Sequence, residues 1–140
     1  MHHLKFLRYA IACLMIIGSV TSFARSVPPI VDFGRLIDTP AKFDGKYVRV
    51  RGFIRGGRNP HDVSVILLYS SKKQAMEDPG NRCILISLKD SRIGGLDVIK
   101  SGWVEITARV VRLPFEGGKY IPALTEILKI DELDENLGNQ

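Results

Sequence analysis

In the stretch FDGKYVRVRGFIR, residues 43–55, arginines stand at positions 49, 51 and 55. Side chains alternate between the two faces of an extended strand. Arg49, Arg51, Phe53 and Arg55 therefore share one face, opposite Val48 and Val50. A row of guanidinium groups beside an aromatic ring suits a single-stranded nucleic acid, whose backbone is anionic and whose bases each offer a π-face. The same spacing also describes the solvated side of an ordinary strand, where arginine keeps an edge soluble and its stem covers apolar surface.

Groups able to attack, shuttle protons or hold a metal are scarce. Beyond the first three residues the only histidine is His61, in the polar run GGRNPH, and nothing around it supplies a nucleophile. Cys83 opens the apolar run CILISL, which reads as a small buried side chain rather than a reactive thiol. One cysteine and one histidine are too few for an ordinary zinc site, and the loop carboxylates do not follow calcium-loop spacing. The paired glycines of RGGRNP and FEGGKY match neither phosphate-cradle motif, so they read as hairpin turns. No enzyme activity, metal or cofactor is expected.

These residues need a scaffold. MHHLKFLRYAIACLMIIGSVTSFA has a basic start, an apolar centre and a small-residue exit at Ser22 and Ala24, the form of a cleaved secretory leader over residues 1–24. Its removal takes Cys13 away, leaves no intramolecular disulfide, and lowers the net charge from +5 to +3. No stable membrane span is then expected. Residues 25–36 read as a loose lead-in, 37–130 as one barrel domain and 131–140, DELDENLGNQ, as an acidic tail.

Within the domain, VDFGRLIDTPAKFDG reads as a short helix or turn that ends in a reversal at Asp44 and Gly45. KYVRVRGFIR is a strand bent at Gly52, and DVSVILLYSS and CILISL are the next two. KKQAMEDPGN reads as a polar loop, and a short helix is expected over Leu96–Lys100. WVEITARVVR alternates with Val104, Ile106, Ala108 and Val110 inward, and it pairs across PFEGG with KYIPALTEILKI. The expected core adds Val48, Val50, Ile84 and Ile86, closed by Ile127 or Leu128.

The expected fold class is all-β: a five-stranded OB-fold-like Greek-key barrel with a short helical segment between strands three and four. FDGKYVRVRGFI, CILISL, SGWVEITARVV and LTEILKI together resemble an OB-fold domain of the kind found in small exported bacterial proteins, with a looser likeness to a secreted, stress-associated family. Such barrels bind through the outer face of strands two and three and through the loops joining strands one to two and four to five. Those loops bring Arg58, Phe115, Lys119 and Tyr120 to join Arg49, Arg51, Phe53, Arg55 and Arg109 as candidate ligand-binding residues. The resulting expectation is a monomeric, periplasmic or secreted binding module that recognises an envelope protein, peptide or glycan. Its alternatives are a single-stranded nucleic acid or other polyanion on the basic face, and an accessory role in envelope stress or metal tolerance.

Overall fold

The computed structural model describes residues 26–55, 65–77, 82–88 and 100–138. In chain order these form β1 (Ile30–Val31), α1 (Phe33–Asp38), a 3-10 turn (Pro40–Lys42), β2 (Tyr47–Ile54) and β3 (Val65–Tyr69). They continue with α2 (Lys72–Glu77), β4 (Cys83–Ser87), β5 (Gly102–Pro114), a second 3-10 turn (Glu116–Gly118), β6 (Tyr120–Leu133) and α3 (Glu135–Gly138).

Alternation fixes which face of each strand turns inward. Val48 and Val50 of β2, Ile84 and Ile86 of β4, and Val104, Ile106, Ala108 and Val110 of β5 are all buried in one cluster. The strands run β1-β2-β3-β4-β6-β5, and β2 also pairs with β5. That last pairing closes β2, β3, β4, β6 and β5 into a ring around the cluster, the strand order of an OB-fold. Among the described strands, β1–β2 and β4–β6 are the parallel pairs. The two-residue β1 is an addition to the five expected strands. It pairs with Arg49 and Val50, on the half of β2 that β3 does not reach.

The short helix or turn expected in VDFGRLIDTPAKFDG forms as α1. Asp32 caps α1 by accepting the Arg35 backbone N–H at 3.0 Å, Leu36 buries the helix against the core, and Pro40 follows where the helix must stop. β6 continues past residue 130 through Leu133, and Ile127, not Leu128, closes the core. The residue choice follows from a bulge: β5 and β6 shift register between Thr107 and Arg109, and Glu126 adopts φ 47° there.

A helix also replaces part of the expected polar loop. The Ser71 hydroxyl accepts the Gln74 backbone N–H at 3.1 Å, Ala75 is buried, and the intervening residues are good helix formers. The segment expected to be helical at Leu96–Lys100 lies outside the described residues, apart from Lys100 itself.

Candidate nucleic-acid interface

The arginines of β2 do face outward together, but the fold assigns them partners. β2 pairs with β5 so that Arg51 lies opposite Glu105 and Arg49 opposite Thr107. Arg51 Nε reaches one Glu105 carboxylate oxygen at 2.8 Å, Arg49 Nη1 reaches the other at 3.2 Å, and Arg49 Nε also donates to the Pro28 carbonyl at 2.9 Å. Two guanidinium groups thus enclose a carboxylate that is itself buried. Such a pair of arginines supplies less free positive charge than its spacing promised.

Arg109 is held away from that pair. It lies opposite Tyr47, and its Nη1 donates to Glu126 at 2.8 Å. This hydrogen bond and the Glu126 charge push the Arg109 guanidinium above its ordinary pKa. The Tyr47 hydroxyl donates to the same carboxylate. Tyr47 and Arg109 thus anchor the residue that carries the positive φ. Arg55 lies past the end of β2 and donates to the Ala75 carbonyl of α2 at 3.3 Å. Arg58 lies outside the described residues, as does His61.

Phe53 shares the outward parity but is covered. It is 3% exposed and meets Trp103 edge-to-face, with ring centroids 5.9 Å apart. Tyr69 and Ala75 complete a second apolar cluster on the outside of the barrel, with Leu67, Cys83 and Leu133 against it. Phe53 therefore stacks within the protein and offers no open face to a base.

Cys83 borders this cluster, and burial pushes its thiol pKa up. A raised pKa leaves less thiolate at a given pH. Alkylation at pH 8, followed by peptide mass spectrometry at Cys83, should therefore be several-fold slower in the folded chain than in urea. Equal rates would show an open thiol.

Among the described residues, the two most exposed aromatic rings stand on the β5–β6 hairpin. Phe115 and Tyr120 are 56% and 52% exposed, and Leu113 and Lys119 are exposed beside them. The hairpin closes through the Phe115 N–H on the Lys119 carbonyl at 2.8 Å. Gly117 and Gly118 turn its tip at φ 72° and 73°, where other residues are strained. The register places Pro114 opposite Tyr120 and Arg112 opposite Pro122, so Arg112 and Tyr120 are diagonal neighbours. The Arg112 guanidinium carbon accordingly lies 4.8 Å from the Tyr120 ring centroid, while Nε contacts Asp44 at 3.1 Å. Sequence reasoning did not single out Arg112; the hairpin register was the signal that could have found it.

No group of acidic, histidine and cysteine side chains able to hold a metal occurs among the described residues. No helix among them is long and apolar enough to cross a membrane.

No family model matches the chain, and no curated protein matches it. Among solved structures, one that matches is the telomere capping protein Ten1 from Saccharomyces pombe, at 15% identity and a TM-score of 0.48, covering 81% of this chain and 89% of that one. Residues 1–24, from which export was expected, lie outside the described residues. The signal-peptide reading, the periplasmic or secreted address and the envelope protein, peptide or glycan partner are withdrawn, since none of the comparisons supports them.

Proposed function

We propose that this chain is a non-catalytic OB-fold domain that binds single-stranded nucleic acid through the β5–β6 hairpin. The observation that carries this reading is a pair of half-exposed aromatic rings, Phe115 and Tyr120, one of them with a guanidinium over its face. The hairpin joins the fourth and fifth strands of the ring, and that loop is one of the places where an OB-fold takes oligonucleotides. Bases stack on the aromatic faces; Arg112 and Lys119 meet the phosphates. The arginine pair on Glu105 has a structural role in this reading, tying β2 to β5.

Fluorescence anisotropy with a labelled 15-residue oligothymidylate tests it. Phe115→Ala and Tyr120→Ala should each weaken binding by about tenfold, within the range measured for stacked bases. The double variant Arg49→Gln/Arg51→Gln should change it by less than about threefold. Two phosphate contacts on a single strand give a log–log salt slope of about −1.4, or about a sevenfold loss between 50 and 200 mM salt. Binding that ignores Phe115 and Tyr120 but collapses with the Arg49/Arg51 pair would overturn the reading.

A further inference from the structure

The acidic end of the chain lies against the strands that carry the other aromatic pair. Leu133 is paired with Trp103 and packs against the Phe53–Trp103 cluster, and α3, which follows directly, lies against β5 and β2. Glu135 Oε1 meets Lys72 Nζ of α2 at 3.4 Å, with both side chains well exposed. α3 therefore lies against the two strands that carry Trp103 and Phe53, with Glu135 held on Lys72, while Arg51 lies two residues from Phe53 and Arg55 two residues beyond. Aromatic faces next to cations are the parts that a single strand uses.

We propose that Trp103 marks a second single-strand site, covered in this conformation by the acidic α3 segment, which a bound strand displaces. The proposal rests on the nucleic-acid reading above, but concerns a different face. An exposed ion pair and a four-residue helix hold the cover only weakly, so a polyanion can compete with Glu135 for Lys72. Trp103 is 7% exposed when covered. It is also the chain's one tryptophan, so its emission reports this site alone.

The test uses the full chain and acrylamide, a neutral quencher. Glu135→Lys and Lys72→Glu each place like charges together, and each should raise quenching of Trp103 by about twofold. The swap Lys72→Glu/Glu135→Lys restores an opposite pair and should return quenching to the starting value, which separates loss of the cover from misfolding. In Glu135→Lys, oligothymidylate should bind about threefold more tightly, as expected for loss of one exposed pair, and should now quench Trp103. Unchanged acrylamide quenching in both single variants, or Trp103 emission indifferent to bound oligonucleotide, overturns the second site. If the hairpin variants still lose binding in that case, the function stands without it; if no variant binds at all, both readings fall.

Discussion

Ile106→Asp should abolish the cooperative thermal transition. Ile106 is fully buried in the middle of β5, opposite Val50 of β2 on one side and Ile130 of β6 on the other. Losing its side chain from a packed core costs about 2–5 kcal/mol by analogy with truncation to alanine. A carboxylate at the same place must either stay charged without a partner or take up a proton, and either course adds several kcal/mol. A domain of this size has only about 5–15 kcal/mol in total. Circular dichroism on heating should show no sigmoidal loss of structure, against a clear transition in the parent. A cooperative transition within a few degrees of the parent would mean that β5 has been assigned the wrong inward face. Arg49→Gln/Arg51→Gln serves as the contrast: it strands the buried Glu105 carboxylate and should lower the melting temperature, but the core is intact and a cooperative transition should remain.

That contrast marks how far periodicity reaches. Alternation in WVEITARVVR and KYVRVRGFIR identified the inward side chains of β5 and β2, because a two-residue period leaves no choice once one face is apolar. Outward parity did not mean exposure. Glu105, Thr107, Phe53 and Trp103 face away from the main core, yet all are buried: Arg49 and Arg51 enclose Glu105, and Phe53 and Trp103 lie in the second apolar cluster. Ala75 of α2 and Leu133 of β6 pack on the aromatic pair, and nothing within β2 or β5 announces either. The arginine row was legible as spacing, but its neutralisation depended on the β2–β5 register that brings Glu105 between Arg49 and Arg51.

One local signal was readable at the level of single residues. Ser71 followed by Gln74 is a capping-box pattern, and it opens α2 where the polar composition suggested only a loop. The choice between Ile127 and Leu128 depended on a bulge whose bent residue, Glu126, is not a glycine, so composition gave no warning. Anchoring by Tyr47 and Arg109 holds Glu126 there, and Tyr47 comes from a strand 79 residues away in sequence. Long-range partners therefore decided the outer surface, whereas local alternation decided the core.

Gly52→Ala should lower the melting temperature by about 10 °C, a large effect for one methyl group. Gly52 shares the inward parity of Val48 and Val50, and immediately after it β2 begins to pair with β3 while still paired with β5. The two strands approach so closely there that a Cβ at position 52 would lie 2.7 Å from the Tyr69 carbonyl oxygen and 2.7 Å from Leu68 Cγ. A long side chain could swing away, but Leu68 is itself buried and the Tyr69 carbonyl belongs to the backbone. Relief requires a strand to move, and overpacking of this kind costs about 1–3 kcal/mol. At about 4–8 °C per kcal/mol for a domain near this size, the middle of that range gives the stated shift. Leu68→Ala added to Gly52→Ala separates the two collisions. It removes the side-chain clash and leaves the carbonyl, so the double variant should be less stable than the sum of relief alone would suggest, because it also opens a cavity. A Gly52→Ala melt within 2 °C of the parent would show that β2 and β3 do not approach this closely. The sharp turn of β2 from one neighbour to the next would then need another cause, because this is the point at which the ring of strands closes.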